Sequence, residues 1–351
     1  MNRMPDMKAY TLVRHGKADS AFEVRSRPVP EPSADQILIQ VEGFGLNFAD
    51  VMARLGLYHD APPLPSVLGY DVVGRICKIG SGVTGFQIGD RVLALTRFGG
   101  YAEYALTSPL SCAKISDSVS IPAATALATQ FCTAQYMIEK KMRLLPGDKV
   151  LIHSGAGGVG SALIQLAKLK GAHVITTVGS AKKAELAKKL GADEVLIYTQ
   201  EDFKETIENR HGKTPILAAF DAIGGAHFRK TLSLLAPAGT ICAYGVAENT
   251  KSRGGKIITG IKTLLGFGVL SPPLMMMNSR TFVGVNMLRV ADLQPRLFHE
   301  MLTELVGLLE NGKIHPLVDP ANGGEYPASQ LGEAHTLLER GTSVGKIAIR
   351  L

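Results

Sequence analysis

Residues 149 to 171 constrain this chain more than any other stretch. An apolar run, Val150-Leu151-Ile152, leads into Gly155-Ala156-Gly157-Gly158-Val159-Gly160. An amphipathic segment follows, with Ala162, Leu163, Leu166, Ala167 and Leu169 at helical spacing, and stops at Gly171. Strand, tight glycine turn and helix in direct succession suit a dinucleotide: glycine lets the backbone approach a diphosphate, and the free N–H groups of the helix start face its charge. A glycine pattern alone is weak evidence, but this one sits between a strand pattern and a helix pattern.

The chain has 351 residues, too many for one ordinary core, so two domains are expected. With 46% hydrophobic and 20% charged residues, it reads as a soluble globular protein. A net charge of +7 could attract nucleic acid, an anionic membrane or a phosphorylated cofactor. The basic residues are spread along the chain, and the densest groups, Lys182-Lys183 and Lys188-Lys189, fall inside one expected helix, which favours the cofactor. The chain has no Trp and few aromatics, so nothing suggests base stacking and nucleic acid is not expected as a partner. Cysteines 77, 112, 132 and 242 form no close pair, which argues against a zinc ribbon or a disulfide framework and for a reducing, cytoplasmic setting. The N-terminus lacks a signal-peptide core. The most apolar later stretch, 257–277, contains Lys262, glycines and Pro272-Pro273, so a loop or broken helix over an apolar pocket is expected there rather than a transmembrane segment.

Residues 7 to about 128 read as all-β, in short alternating runs such as Gln36 to Val41, separated by Gly, Pro, Asp and Ser turns, and suggest a barrel-like domain. Ile121 to Met142 is Ala-rich and suits helices. From 149 onward strands (149–154, 173–178, 194–198, 216–221, 239–244) alternate with helices (160–170, 181–190, 201–210, 226–235), the pattern of a doubly wound parallel sheet. A sixth strand is expected over Thr281 to Val285, a helix over 297–310, and a last strand over Val344 to Ile349 that returns to the first domain. The domains are therefore 1–128, completed by 286–351, and 129–285.

A dinucleotide unit that prefers NAD places an acidic residue about 20 residues past the glycines, at the end of the second strand. Here that strand runs into Gly179-Ser180-Ala181-Lys182-Lys183, with no carboxylate. A Gly-Ser turn leaves room for a 2′-phosphate and a lysine one turn later can pair with it, so NADPH is expected over NADH. The bland alternative is that both lysines are solvated helix residues.

With these segments in place, the chain resembles the medium-chain dehydrogenase/reductase superfamily, in its zinc-independent quinone oxidoreductase branch. It is similar there to the zeta-crystallin-like NADPH:quinone reductases and the vesicle amine transport protein family. The likeness covers nearly the whole chain and is carried by Gly45 to Asp50 (GLNFAD), Gly56-Leu57-Tyr58, Gly89 to Val92, His153 to Gly160, Leu190 to Asp193, Asn311 to Ile314 and Val344 to Ile347. The resemblance implies a GroES-like β-rich barrel domain plus a Rossmann doubly wound parallel sheet domain. It implies that Gly179, Lys183 and Tyr198 surround the 2′-phosphate, and that Asn47 and Thr133 lie near the nicotinamide. Gly245 and Val246 would run along the cofactor, Val285 and Asn286 would approach the carboxamide, and Lys346 is a weaker candidate for a contact. It also implies a homodimer paired through the edge strand Thr281 to Val285. Alcohol dehydrogenases of this superfamily carry a ligating Cys and a Gly-His-Glu, where this chain has Asn47 and Gly69-Tyr70-Asp71. No soft-ligand cluster stands there, so no catalytic metal is expected and simple alcohol oxidation is disfavoured.

The chemistry left is hydride delivery to an acceptor that is already electrophilic, a quinone or an α,β-unsaturated carbonyl, with a hydrogen-bond donor in place of a Lewis acid. Candidate donors are Asn47, Tyr58 and the cofactor's own ribose hydroxyl. Tyr58 resembles a tyrosine proposed as proton donor in 2-enoyl thioester reductases, and it reads equally as a wall of the pocket. His59 is expected on an exposed loop, and His153 as a satisfied core histidine. The Met275 to Met277 run suits an adaptable pocket, a subunit contact or plain core. Two rivals stand beside a quinone or enone reductase: a 2-enoyl thioester reductase, and a non-catalytic NADPH-binding protein that docks on a membrane or RNA.

Overall fold

The computed structural model describes residues 6–246, 267 and 270–351. Two compact units divide the chain: Met1–Cys132 with Met287–Leu351, and Thr133–Asn286.

The first unit is β-rich. Its strands are β1 (Met7–Leu12), β2 (Phe22–Arg27), β3 (Ile37–Leu46), β4 (Ser66–Val67), β5 (Asp71–Ile79), β6 (Arg91–Leu95), β7 (Tyr104–Thr107) and β8 (Cys112–Lys114). The long β3 is apolar on both faces, which suits a central strand: Ile37, Ile39 and Phe44 are all fully buried. It pairs with β5 on one side and with β7 and the C-terminal strand β16 (Ile347–Arg350) on the other. The sheet then runs β15 (Glu325–Pro327), β16, β3, β5, β6, β8, with β7 off that path. Phe44 stacks on Tyr101 with ring centroids 4.4 Å apart, in a core shared with Ile39, Val72 and Val92.

This unit is not all-β. Helices occupy Ala18–Ala21, Phe48–Arg54 and Ile121–Ala126. The second begins at Asn47, where the Asp50 carboxylate accepts from the Asn47 N–H at 2.9 Å. An Asn followed three residues later by an acid is a helix-start signal that alternation alone passes over. Ser120 caps the third helix, accepting from the Ala123 N–H.

The second unit carries the parallel sheet: β9 (Lys149–His153), β10 (His173–Val178), β11 (Glu194–Ile197), β12 (Ile216–Asp221), β13 (Leu235–Ala243) and β14 (Thr281–Gly284). Every pairing is parallel, in the order β11-β10-β9-β12-β13-β14, so the winding reverses between β9 and β12. Such a reversal opens a crevice at the carboxyl ends of the two strands beside it. The first helix, Gly158–Leu169, begins two residues earlier than the periodicity predicts, because Gly157 serves as its N-cap. The last strand of the chain begins three residues later than expected. Gly345 takes φ +56° and the Lys346 N–H bonds to Leu317 O, so the ladder starts only at Ile347.

His153 is fully buried, with its ring nitrogens 2.9 Å from the Thr177 and Thr231 hydroxyls, a satisfied core histidine. Burial pushes its pKa down to about 3. Of the apolar stretch 257–277, residues 257–266 and 268–269 lie outside the described residues; Pro272–Met277 is a helix. Met276 and Met277 are about four-fifths exposed, 78% and 80%, so the methionine run is not core. Among the described residues no helix is long and apolar enough to cross a membrane.

Phe228 is fully buried, with its ring against Phe267 and Phe282. Phe228→Ala leaves a cavity in the second unit and is expected to lower stability by about 3–5 kcal/mol in chemical denaturation.

Candidate active site

In the second unit, the nucleotide candidates gather on loops that leave carboxyl ends of the parallel strands. Gly155 to Gly160 follow β9, Gly179 to Lys183 follow β10, and Tyr198 follows β11. Gly245 and Val246 follow β13, and Val285 and Asn286 follow β14. Thr133 stands on the helix Cys132–Gln135, outside these loops. The turn after β9 is tight: Ser154 takes φ +60°, and its carbonyl accepts from the Gly157 N–H at 2.8 Å. A Cβ on Gly160 would collide with that same carbonyl, so only glycine closes the turn. The N–H groups of the first helical turn have no partner within the helix.

The loop after β10 sits beside this turn, because the Gly155 N–H donates to Thr177 O at 3.1 Å. A Cβ on Gly179 would lie 2.6 Å from the Tyr198 hydroxyl oxygen, so the two residues touch through bare backbone. Ser180 caps the helix Ala181–Lys189, its hydroxyl accepting from the Lys183 N–H at 3.4 Å. A helix start, a hydroxyl, a phenol and an ammonium-bearing residue thus surround this corner, and no carboxylate follows the strand. This cradle fits a phosphorylated ribose.

Sequence reasoning passed over the loop after β12. Asp221, buried at that strand's end, accepts from the Ile223 and Gly224 N–H groups at 2.6 and 2.8 Å. Its signal was an acid closing an apolar strand just before Gly224-Gly225.

The first unit holds a buried polar cluster where β16, β3 and β5 lie side by side. Lys346 and Asp71 are fully buried, and Asn47 is 6% exposed. The Lys346 ammonium donates to Asp71 Oδ2 and, at 3.0 Å, to Asn47 Oδ1. Asn47 Nδ2 donates to the same Asp71 oxygen at 2.6 Å, and the Thr129 hydroxyl donates to the other. Asn47 and Asp71 stand in the segments where metal-dependent dehydrogenases carry Cys and Gly-His-Glu. Here an ammonium lies between them, and the donors left are one amide and one carboxylate. Lys346, expected as a cofactor contact, has its ammonium engaged inside this cluster. A lysine buried at a strand end goes to the nearest carboxylate, because an unpaired buried charge is costly. Sequence reasoning did not single out Thr129 or Asp50. Their only signal was a polar residue inside an apolar run.

Asp50 is fully buried next to this cluster, and burial pushes its carboxyl up to about 7. Its Oδ1 accepts no hydrogen bond among the described residues. Tyr58 lies on the loop after Phe48–Arg54, partly buried, its ring edge-on to Tyr70 with centroids 6.4 Å apart. Burial raises the Tyr58 hydroxyl above its ordinary 10.0, so it stays a hydrogen-bond donor at neutral pH. Arg289 holds the loop through Asp60 at 2.7 Å, and the side chain of His59 is 98% exposed.

Comparison with known proteins agrees with this architecture. Residues 33–117 match the family model for the alcohol dehydrogenase GroES-like domain, and residues 158–305 match that for the zinc-binding dehydrogenase. A quinone oxidoreductase from Pseudomonas aeruginosa is 31% identical over 331 residues, 93% of this chain and 95% of that protein. A synaptic vesicle membrane protein VAT-1 homolog from Mus musculus is 29% identical over 348 residues, covering 98% and 84%. The crystal structure of an Escherichia coli quinone oxidoreductase complexed with NADPH superposes with a TM-score of 0.84 at 27% identity, covering 98% and 100%. A GroES-like unit joined in one chain to a six-stranded nucleotide-type sheet is the build of a dehydrogenase/reductase. The chain belongs to the zinc-independent quinone oxidoreductase branch of the medium-chain dehydrogenase/reductase superfamily.

Lys346→Met leaves Asp71 buried without its cation, and an expected loss of about 3–5 kcal/mol should appear in chemical denaturation. Adding Asp71→Asn removes the orphaned charge and is expected to recover much of that loss. Asp50 gives a pH test. Folded, its carboxyl holds its proton up to about 7; unfolded, it ionises near 3.8. Its contribution therefore falls as pH rises between those two values and is level above them. Asp50→Asn is expected to gain stability relative to wild type between about pH 4 and pH 8, read from denaturation midpoints across that range.

Proposed function

We propose that this chain binds NADPH and reduces quinones or α,β-unsaturated carbonyls by hydride transfer. The observation that carries the reading is the corner after β10: Gly179 lies against Tyr198, and Ser180 caps the helix whose first turn carries Lys183, with no acid closing the strand to hold a free 2′-hydroxyl. In this reading Gly155 to Gly160 hold the diphosphate, and Lys183 and Ser180 hold the 2′-phosphate. Thr133, Gly245, Val246, Val285 and Asn286 line the rest of the cofactor. When bound, the nicotinamide supplies a hydride.

The first unit's task is then to orient the acceptor and donate to its oxygen. Tyr58 keeps its proton and is one donor. Asn47 is the other: its amide oxygen and one N–H are engaged by Lys346 and Asp71, and the inventory of the amide leaves a second N–H. A reduced quinone takes its remaining protons from water, so Tyr58 is needed for orientation rather than for proton supply. A reduced enone needs a proton at carbon, and there Tyr58 matters more. A homodimer paired through the β14 edge goes with this reading, and light scattering tests it.

The purified protein is expected to oxidise NADPH with a quinone or an enone far faster than NADH. Turnover with neither class of acceptor would sink the reading. NADPH held tightly without turnover would favour the binding-protein alternative suggested by the vesicle-protein relatives. Lys183→Glu is expected to raise the KM for NADPH about tenfold or more, the worth of a charged hydrogen bond, with little change for NADH. Tyr58→Phe is expected to slow enone reduction clearly and quinone reduction little; equal slowing of both would reduce Tyr58 to a pocket wall.

A further inference from the structure

Three side chains outside the proposed site converge on one point of the second unit. His173 opens β10, Glu194 opens β11, and His211 closes the helix Phe203–His211. His173 Nε2 lies 2.9 Å from Glu194 Oε1, and His211 Nε2 lies 2.7 Å from that same oxygen. Their side chains are 35%, 19% and 16% exposed, so the point is reachable from solvent. Arg210 donates to the other carboxylate oxygen, Oε2, at 3.1 Å and fixes the direction in which Oε1 faces.

The geometry points to a binding site for a divalent metal ion of the zinc class, held by His173 Nε2, His211 Nε2 and Glu194. Two imidazoles and a carboxylate are a donor set that such ions accept, with water in the open position. Tetrahedral ligand atoms about 2.1 Å from zinc stand roughly 3.4 Å apart, so the His173 and His211 nitrogens, now at 2.9 and 2.7 Å, need to move from the oxygen by about 0.5 and 0.7 Å. In the metal-free protein both imidazoles must aim an N–H at the same oxygen. A metal replaces that crowded pair with two lone-pair bonds, the ring protons moving to Nδ1. The Arg210 bond to Oε2 is the outer support that ligating carboxylates commonly have. All three ligands sit at ends of regular elements, and β10 and β11 are locked in register through Ile175 and Glu194. An ion here would tie the sheet edge to the helix behind it.

The other histidine–carboxylate cluster among the described residues, His153, Asp221 and His227, lacks this readiness. Both ring nitrogens of His153 are already taken by threonine hydroxyls in a closed core. The spacing of 173, 194 and 211 forms no short motif, so only the fold brings them together.

The test uses the full chain, stripped with chelator and titrated with Zn²⁺ alone by calorimetry. One equivalent is expected to bind, and Co²⁺ in its place is expected to give visible d–d absorption. His211→Asn and Glu194→Gln are each expected to weaken Zn²⁺ at least about tenfold while NADPH binding, read by fluorescence, is unchanged. Cys77→Ser is expected to leave Zn²⁺ affinity as it was. A variant-free reading comes from imidazole NMR: of the nine histidines, the ring signals of His173 and His211 should shift on Zn²⁺ addition. No bound equivalent, affinity indifferent to both ligand variants, or shifts confined to other histidines would overturn the site and leave a plain His–Glu–Arg ion pair.

Discussion

The buried contact between Lys346 and Asp71 is the constraint on which the first unit's arrangement depends. It joins residues 275 positions apart, at the ends of β16 and β5 on either side of β3. A buried ion pair is a poor source of net stability, because desolvation offsets most of the attraction. It is strict about geometry, however, since either partner alone is a buried unpaired charge. The C-terminal strand therefore has one register that satisfies the pair. That register also directs the Asn47 amide, which bridges both partners. Asn47 opens the helix Phe48–Arg54, and Tyr58 lies on the loop that follows, so a pair remote in sequence orients both proposed donors.

The second unit answers to a different rule. Its parallel strands release their loops at one edge, and the reversal between β9 and β12 opens that edge to a ligand. The glycine turn is sterically closed around the Ser154 carbonyl, so in the proposed reading backbone groups rather than side chains face the diphosphate. The same reading leaves discrimination between cofactors to the loop after β10, where a hydroxyl-capped helix start and Lys183 stand in place of an acid. On that proposal, affinity and selectivity come from adjacent loops of one sheet and can be altered separately.

Much of this was legible in the sequence because its signals are local. Strand, glycine turn and helix alternate within about 25 residues, and hydrophobic periodicity over that range reflects the burial of one face. Element ends moved by one to three residues where a cap or a positive φ decided the matter, as at Gly157 and Gly345, and by four at β13, which starts at Leu235 rather than 239 and holds Ala238 at φ +62°. The front of the chain read as all-β because alternation hid the helix that begins at Asn47.

What the sequence by itself determined is the pair of architectures, the glycine turn and the missing acid after the second parallel strand, because each is written in neighbouring residues and in the space that glycine leaves. Only the tertiary structure decided that Lys346 meets Asp71, that burial raises Asp50, and that His173, Glu194 and His211 converge. Those contacts join residues 17 to 275 positions apart. Their energies depend on burial and register, which no stretch of sequence contains until the strands have paired.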